Sequence, residues 1–308
     1  MDASPIRIGI LLYPGCMKSA VYGLEEMLSL ANRVCAEQGR DERFDIRLCE
    51  TPSTDEASYN AIVVPPCVDG DYYRAPSPAL QAWIRHCFDE GSLLCSACAG
   101  AFILAATGLI EGRPVTTHWN LADAFACQYP GVRLRSEENL IDDGDLLSAG
   151  GLMSWMDLGL ELVARFSTPA VMHALGALLI VDTARREQRY YRRFAPRLDH
   201  GDRAIAKAQR LLQKEYRHAL TVPALAAHCH LTERTFQRRF VRATGLKPLQ
   251  YLQRLRIQKA CERIESSLDT FGAIAWDVGY EDLSAFRKMF VRVTGLTPSA
   301  FRKRFYRA

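Results

Sequence analysis

One cysteine stands where an α/β enzyme would place a nucleophile. The run LLCSACAGAFILA, residues 93–105, begins as an apolar strand, reaches Cys98 and continues at once as a helix. A thiol on a turn before a helix lies at the positive end of the helix dipole, which lowers its pKa and favours the reactive thiolate. We therefore expect Cys98 either to react with a substrate or to line a pocket.

Two further groups of residues have spacings known from redox and metal sites. Cys95 and Cys98 have the C-x-x-C spacing of thioredoxins. Cys95 should face the packing of the sheet, where a disulfide to Cys98 would be strained. The run His228-Cys229-His230 suggests a metal site. Successive helical positions point about 100° apart, so these three are expected to be ordinary helix residues that bind no metal.

The elements that position Cys98 alternate along the first half of the chain. Strand-like apolar runs occupy residues 6–14, 44–50, 61–66 and 92–97, and helical segments occupy residues 18–38 and 77–90. An Asp-Gly turn within 139–151 and helices over 153–166 and after Pro169 follow. Continuous apolar strands are typical of a parallel sheet covered on both faces. The pattern predicts a flavodoxin-like, doubly wound α/β domain with its ligand crevice at the carboxyl ends of the strands.

Composition limits the class of protein. The 308 residues suffice for two domains, and contents of 48% hydrophobic and 24% charged residues are typical of a soluble globular protein. The N-terminus lacks the features of a signal peptide, and the apolar runs are shorter than the ~20 residues of a membrane span. Ten cysteines without a secretory signal indicate reduced thiols. We therefore expect a cytoplasmic protein with no membrane partner.

The charge is divided unequally along the chain. Residues 1–200 contain 18 Lys and Arg against 26 Asp and Glu, a net charge of −8. Residues 201–308 contain 21 against 9, a net charge of +12. A basic block joined to an acidic one is expected of a nucleic-acid-binding domain attached to another domain. The alternative is a basic surface that is merely solvated.

The basic block contains an internal repeat. Residues 225–251 and 275–301 align at a fixed offset of 50 without a gap. The residues identical in both copies are Phe236/Phe286, Phe240/Phe290, Val241/Val291, Arg242/Arg292, Thr244/Thr294, Gly245/Gly295, Leu246/Leu296 and Pro248/Pro298. Each copy predicts a helix, a short turn and a second helix that ends at Thr-Gly-Leu.

In each copy the second helix divides into a buried and an exposed face. Phe236 and Phe240 share a face that must be buried. Phe286, Met289 and Phe290 form the equivalent face of the second copy. The outward residues are Arg234, Gln237 and Arg238 in the first copy and Ser284, Arg287 and Lys288 in the second. Such side chains can hydrogen-bond purine edges or phosphates, as a recognition helix in a major groove requires.

Between the two copies, residues 248–266 predict a single helix. At ~1.5 Å per residue it is roughly 28 Å long. This length suits two recognition helices about one DNA turn, ~34 Å, apart on one face of the duplex. The alternative is a helical bundle with solvated arginines.

Residues from about 203 to 306 resemble the DNA-binding domain of the AraC/XylS family over its whole length. The matching motifs are LTERTFQRRFVRATGLKPLQYLQRLRIQKA and IAWDVGYEDLSAFRKMFVRVTGLTPSAFRK. The resemblance implies DNA contacts by the same six outward residues, with Leu283 as a further candidate. It also implies double-stranded DNA and RNA polymerase as partners. Family members are mostly activators, so activation is the expected mode.

Residues 6–183 resemble the ThiJ/PfpI group of the class I glutamine amidotransferase-like fold. The signature is SACAGAFILAATGLIEG, then TTHW at 116–119 and SAGGLMSWMDLGLELV. The order of domains matches the GlxA-like regulators. The limits expected are 1–183 for a sensor domain, 184–202 for a linker and 203–308 for an AraC-type DNA-binding domain. In this family the sensor half commonly dimerises, so a homodimer is expected.

Compared with the enzymes of that group, the Cys98 turn lacks three partners. Ala99 stands where peptidase-like members have a histidine, and Ala20 stands where an acidic residue approaches the thiol. Pro66-Cys67 replaces a Gly-Gly pair whose N–H groups help bind an oxyanion, and proline has no N–H. We therefore expect neither enzyme activity nor a cofactor.

These observations together predict a DNA-binding transcriptional regulator of the bacterial cytosol, associated with the nucleoid, whose first domain binds a small effector. The ligand-pocket candidates are Cys98, Ala99, His118, Ala20 and Cys67. Trp119, Trp155 and nearby tyrosines allow an aromatic box for a quaternary amine, although core packing is the simpler role. Two alternatives stay open: redox sensing by Cys98, and a cysteine-dependent enzyme held on DNA by its helical half.

Overall fold

The structure, a computed structural model, describes residues 4–50, 58–183, 187–191, 194, 196 and 198–306. Contacts between residues divide the chain into two compact units, Met1–Gln188 and Arg189–Ala308, and each has its own hydrophobic core. Within the predicted linker 184–202, residues 184–186, 192, 193, 195 and 197 lie outside the described residues. The domain limits expected from the sequence stay a prediction.

The sheet of the first unit confirms the predicted doubly wound fold. Its six strands are Ile6–Leu11 (β1), Phe44–Cys49 (β2), Ala61–Val64 (β3), Leu93–Ala97 (β4), Leu140–Asp142 (β7) and Leu146–Ala149 (β8). Two further strands, Pro114–Val115 (β5) and Arg133–Leu134 (β6), pair with each other in a separate small sheet. The order is β2-β1-β3-β4-β8-β7, parallel except for β7. Strands β3, β4 and β8 are buried throughout, as continuous apolar runs predict for strands covered on both faces.

The described residues of this unit form six α-helices. They are Lys18–Glu37 (α1), Pro78–Asp89 (α2), Gly100–Ala106 (α3), Ala122–Gln128 (α4), Trp155–Phe166 (α5) and Pro169–Leu179 (α6). Helices α1, α5 and α6 pack against one another, and α2 packs against α3. Gly23 of α1 lies under Trp155 of α5, where an added Cβ would come within 2.5 Å of the indole ring. Trp155 is therefore a packing residue of this core.

The second unit is helical in its described residues. Its helices are Arg203–Glu215 (α7), Val222–His228 (α8), Glu233–Thr244 (α9), Pro248–Ser266 (α10), Phe271–Asp277 (α11), Leu283–Thr294 (α12) and Pro298–Phe305 (α13). The predicted single helix over 248–266 is confirmed as α10. Its first half packs Tyr251 and Leu255 into one hydrophobic cluster, and its second half packs Ile257 and Ile264 into another. One helix thus forms part of both cores of this unit.

The sequence repeat produces the same local structure twice. At the end of α9 the Thr244 hydroxyl donates to the Phe240 carbonyl at 2.7 Å and accepts from the Leu246 N–H at 3.2 Å. Thr294 makes the equivalent bonds at the end of α12, at 2.8 and 3.2 Å. The glycine after each threonine ends its helix in the left-handed region, with φ of 70° and 78°, which glycine adopts without a steric cost.

The His228-Cys229-His230 run differs from its prediction. Helix α8 ends at His228, Cys229 caps it, and His230 has a φ of 54° in the following turn. Of the three, His228 is a helix residue as predicted, whereas Cys229 and His230 are not, because the helix stops to make the turn of a helix-turn-helix unit. No group of three His, Cys, Asp or Glu among the described residues is arranged to hold a metal ion. The described helices include none long and apolar enough to cross a membrane.

Gly100 allows α3 to approach the end of β3, which gives the first prediction. A Cβ at Gly100 would lie 2.4 Å from the Val64 carbonyl oxygen, whereas the helical Gly272 has open space around it. Gly100→Ala should lower the free energy of unfolding by about 1–3 kcal/mol through overpacking. Gly272→Ala should leave it unchanged or raise it by up to ~1 kcal/mol. Urea unfolding of the full chain measures both, and equal midpoints for the two variants would contradict the packing described.

Candidate ligand pocket and nucleic-acid interface

The turn at Cys98 joins β4 to α3 in a strained conformation. Cys98 has a φ of 53°, in the left-handed region that is costly for a residue with a Cβ. The Cys98 N–H donates to the Ala149 carbonyl at 2.8 Å, and the Thr117 hydroxyl donates to the Cys98 carbonyl at 2.7 Å. The turn is therefore held by β8 on one side and by the TTHW segment, residues 116–119, on the other.

Burial decides the chemistry of the Cys98 thiol. Cys98 is 4% exposed, and burial raises its pKa to about 12, although the N–H groups of Ala99 and His118 stabilise the thiolate. The N–H at the start of the following helix lowers this pKa, as expected, but burial raises it by more. Helix α3 has only seven residues, and the loss of solvation outweighs what two N–H groups contribute. At neutral pH Cys98 is a protonated thiol.

His118 is committed to its own loop. Burial lowers the pKa of its imidazole, so the ring is neutral at pH 7. Its Nδ1 accepts a hydrogen bond from the Asn120 N–H at 3.1 Å, and its ring lies 5.2 Å from that of Trp119. Only Nε2 is left to meet a ligand. His118 can therefore line a pocket, but its described contacts include no carboxylate that would orient it as a general base.

The other three predicted pocket residues differ in their surroundings. Ala20 and Ala99 are 0% and 1% exposed, so their methyl groups belong to the core. Cys67 is half-buried, and its thiol lies within hydrogen-bonding distance of the Gly15 and Asp69 carbonyl oxygens, at 3.2 and 3.1 Å. Of these three residues, only Cys67 reaches a surface.

Tyr13 is a central residue of this region that the sequence did not single out. Its hydroxyl donates to the Pro65 carbonyl at 2.7 Å, and its ring stacks on Tyr72 at 5.9 Å. Burial raises the pKa of the Tyr13 hydroxyl, and the neighbouring thiols of Cys67 and Cys98 raise it further. Its position directly after β1, at the carboxyl edge of the sheet, was the signal available. Tyr13 therefore lies close to the thiols of Cys67 and Cys98.

An open cleft of about 760 Å³ lies on the surface side of Tyr13. Its lining combines apolar and charged side chains with the loop after β1: Leu12, Tyr13, Pro14, Gly15, Cys16, Met17, Lys18, Ser19, Glu50, Val68 and Asp69. The five predicted pocket residues are not part of this lining. The pocket around Cys98 thus stays a prediction.

Gln188 is a second residue that sequence analysis missed. Its side-chain N–H groups lie 3.1, 2.9 and 2.9 Å from Thr116 Oγ1, the Thr117 carbonyl and the Glu138 carbonyl, and its Oε1 accepts from the Trp119 N–H at 3.3 Å. It is 3% exposed. A single buried amide in a charged stretch leaves no periodic pattern, so nothing in the sequence indicated its role. Gln188 fixes the TTHW segment that in turn holds the Cys98 turn.

In the second unit, each of the two repeated second helices presents one polar face to solvent. The residues predicted to contact DNA are all exposed: Arg234, Gln237 and Arg238 on α9, and Ser284, Arg287 and Lys288 on α12. Phe236, Phe240, Phe286 and Phe290 on the opposite faces are each 0% exposed. Met289 is half-buried, less than predicted, and Leu283 is also half-buried. Both helices are therefore amphipathic, with one buried face and one exposed polar face, as a recognition helix requires.

An ion pair anchors α9 next to a basic cleft. Asp202, the N-cap of α7, accepts two hydrogen bonds from Arg239 at 2.8 and 2.7 Å, and this contact lowers the pKa of the Asp202 carboxyl. The cleft beside it measures about 910 Å³. Arg203, Arg238 and Arg242 also line it. Because Arg239 is already paired, these three remain as the cations available to a phosphate backbone.

Arg256, in the middle of α10, joins that helix to two other parts of the helical unit. Its guanidinium donates to the carbonyl oxygens of Tyr216, Gly279 and His218 at 2.7, 2.8 and 2.9 Å. Burial lowers the pKa of this guanidinium, and its carbon lies 5.6 Å from the centre of the Tyr280 ring. The end of α7 and the turn of the second repeat are thereby tied to the helix that both repeats share.

Comparisons with known families agree with this architecture. The model of the DJ-1/PfpI family matches residues 33–165, and a model described as a helix-turn-helix domain matches residues 225–304. The crystal structure of a candidate transcriptional regulator from Vibrio parahaemolyticus has a TM-score of 0.50 with 19% identity, covering 57% of this chain and 100% of that one. This likeness confirms the fold of the first unit.

Two curated relatives extend over most of the chain. The HTH-type transcriptional regulator CdhR of Pseudomonas aeruginosa is 28% identical over 227 residues, which cover 73% of this chain and 67% of that protein. The HTH-type transcriptional regulator ArgR of the same species is 26% identical over 310 residues, covering 97% of this chain and 93% of that protein. The similarity to each of these two regulators extends over more than the helical unit alone.

The buried state of Cys98 predicts its reactivity. At about pH 7.5, iodoacetamide should modify the exposed Cys127 readily and Cys98 very slowly, because burial holds the Cys98 pKa near 12. The rate of modification at Cys98 should continue to rise at pH values above the pKa of an ordinary thiol. Peptide mass spectrometry of the folded chain measures both sites. Modification of Cys98 as fast as Cys127 at neutral pH would show that its thiolate is stabilised after all.

Proposed function

The chain belongs to the HTH-type transcriptional regulators in which a DJ-1/PfpI domain precedes an AraC-type helix-turn-helix domain, and we propose that it binds DNA through α9 and α12 together. One observation carries this proposal: two copies of one helix-turn-helix unit present polar side chains at equivalent exposed positions. Arg234, Gln237 and Arg238 would enter one major groove. Ser284, Arg287 and Lys288 would enter the next. Such residues can read base edges and also position the protein on phosphates.

The first unit, in this proposal, binds a small metabolite in the cleft beside Tyr13. A volume of about 760 Å³ lies within the range of ligand sites. Its apolar walls and the charges of Lys18, Glu50 and Asp69 suit a molecule with an apolar part and charged groups. If the Tyr13 side chain moved aside, the deeper wall of this site would be formed by Cys98, Ala99, His118, Ala20 and Cys67.

Regulation without catalysis is the role that the Cys98 turn supports. Its thiol is protonated at neutral pH, and His118 is neutral and bound to its own loop. Alanines stand at positions 20 and 99, where the related enzymes have acid and base. A cysteine hydrolase needs a thiolate and an oriented base together. An enzyme held on DNA is therefore the weaker proposal.

Three further features belong to the proposal through the family. The regulator acts as a homodimer, it works mainly as an activator that engages RNA polymerase, and it resides with the nucleoid in the cytosol. A dimer would double the number of half-sites on DNA. Effector binding would then change the affinity or spacing of the two DNA-binding units by favouring one of two states.

Gln188 offers a physical route from the sensor site to the segment that follows it. The Cys98 carbonyl is held by Thr117, whose own carbonyl is held by Gln188, the last residue of the first unit. A ligand that shifts the Cys98 turn would strain these bonds. The position of Gln188 would then depend on whether a ligand is bound.

This route predicts how a Gln188→Ala variant behaves. Loss of the amide removes the 2.9 Å bond to the Thr117 carbonyl, which then keeps only a 3.4 Å contact with the Thr116 hydroxyl, so the TTHW segment and the Cys98 turn should exchange amide hydrogens at least tenfold faster. Hydrogen exchange with mass spectrometry measures this on the full chain. Gln38→Ala, at an exposed position that ends α1, is the control and should leave exchange unchanged. Faster exchange confined to residues 187–191 would exclude the route.

The DNA proposal predicts separable effects for one residue of each recognition helix. Arg238→Ala and Lys288→Ala should each weaken binding roughly 10- to 100-fold at physiological salt, since a good base contact is worth about 1–3 kcal/mol. Both residues are exposed, so the unfolding midpoint should not change. Fluorescence anisotropy measures binding, with duplexes that the wild-type chain selects from a random library.

Arg33→Ala is the matched control, because Arg33 is an exposed arginine of α1 in the other unit. Its removal should leave DNA affinity unchanged. A residue that contacts only phosphate should weaken all duplexes equally and reduce the salt dependence, whereas a residue that reads bases should also relax sequence preference. Wild-type affinity in both the Arg238 and Lys288 variants would refute the assignment of α9 and α12.

A further inference from the structure

Two cysteines face each other across the loops that follow β1 and β3. Cys16 and Cys67 form an isolated antiparallel β-bridge. The bridge is flanked by two backbone hydrogen bonds, from the Met17 N–H to the Pro66 carbonyl at 2.7 Å and from the Val68 N–H to the Gly15 carbonyl at 2.9 Å. Bonds on either side of a pair, with none within it, mark the non-hydrogen-bonded type of antiparallel pair.

This type of pair brings two side chains unusually close. The Cα atoms of such a pair are typically about 4.5 Å apart, and both side chains lie on one side of the ribbon. Disulfides span Cα separations of roughly 4.4–6.8 Å. The backbone therefore already holds Cys16 and Cys67 at a distance that a disulfide can bridge without moving either loop.

The close approach of the loops does not depend on the two thiols. Gly15 has a φ of 79°, and a Cβ there would lie only 1.7 Å from the Asp69 carbonyl oxygen. Glycine is thus required where the first loop touches the second. Both cysteines are free, Cys16 is 9% exposed on the wall of the cleft, and Cys67 is half-buried. The Cys67 thiol would exchange its contacts with the Gly15 and Asp69 carbonyls for a bond to Cys16.

We propose that Cys16 and Cys67 are a reversible dithiol that closes to a disulfide on reaction with a low-molecular-weight disulfide. The Cys67 thiolate attacks one sulfur of the small disulfide and releases one thiol. Cys16 then loses its proton, attacks Cys67 in the mixed disulfide and releases the second thiol. Two protein thiols are oxidised and one small disulfide is reduced to two thiols, so electrons and protons balance.

Cys98 is the competing partner and is less suited to this exchange. It is 4% exposed at the end of β4, and its thiol is held by the N–H groups of Ala99 and His118. The bridge geometry pairs Cys67 with Cys16 and not with Cys98. The redox response that the sequence suggested for Cys98 is accordingly assigned to the two loops. Burial raises the pKa of the Cys67 thiol, so the exchange should accelerate with pH.

The cross-link would close a loop of roughly fifty residues and fix one wall of the cleft. Closing a loop of this size constrains the unfolded chain, so the oxidised protein should unfold roughly 5–10 °C higher than the reduced protein. Because Cys16 lines the cleft, its covalent link to Cys67 would also change the surface that a ligand meets. This inference does not depend on the DNA contacts proposed above.

The test equilibrates the full chain with mixtures of reduced and oxidised glutathione, then blocks free thiols and maps the peptides by mass spectrometry. The wild-type chain should yield a Cys16–Cys67 cross-linked peptide that is lighter by two hydrogens and is removed by excess reduced glutathione. Cys16→Ser should instead accumulate glutathione on Cys67. Cys127→Ser, which removes an exposed cysteine, is the control and should behave as the wild-type chain.

Unfolding midpoints provide the second measurement, and they also show whether each variant is folded. Oxidation should raise the midpoint of the wild-type and Cys127→Ser chains but not that of Cys16→Ser or Cys16→Ala. A stable glutathione adduct on Cys67 of the wild-type chain would overturn the proposal. A Cys67–Cys98 disulfide, or no oxidation in any glutathione mixture, would also overturn it.

Discussion

The helical unit depends on one constraint, which is that a single helix belongs to two hydrophobic cores. Helix α10 buries Tyr251 and Leu255 against the first repeat and Ile257 and Ile264 against the second. Arg256, between these two sets, hydrogen-bonds three backbone carbonyl groups from outside the helix. A rotation of either repeat about α10 would expose apolar surface and leave a half-buried guanidinium without acceptors, which is costly. The two recognition helices are therefore held at a fixed separation and angle.

A different balance governs the α/β unit, where the same packing that forms the cysteine turn makes its thiol unreactive. Cys98 has a left-handed backbone conformation that hydrogen bonds to Ala149 and Thr117 maintain, and the close packing of this turn excludes water from the sulfur. Desolvation then outweighs the two N–H groups that face the thiol. An enzyme would counter burial with a charged partner, and here alanine stands at position 99. The turn keeps the geometry of a nucleophile while its chemistry is that of a core residue.

The sequence predicted best those features that repeat or are periodic. Apolar runs located the parallel strands, and the 50-residue offset located both helix-turn-helix units and the outward residues on them. Features set by contacts between distant loops could not be found in this way. Tyr13, Gln188 and the Cys16–Cys67 pair have partners far away in the sequence, and none of them lies in a periodic pattern. For the Cys98 pKa the sequence showed the helix terminus that lowers it but not the burial that raises it by more.

The rigidity of α10 can be tested most directly by changing the spacing of the DNA site. On a duplex selected by the wild-type chain, about five base pairs would be inserted between the two groove segments that α9 and α12 protect. A rigid link predicts that only one segment stays protected, with affinity reduced to that of a single helix-turn-helix unit, and that an insertion of about ten base pairs does no better. Recovery of both footprints with the ten-base-pair insertion would contradict the account, because it would require two recognition helices that move independently.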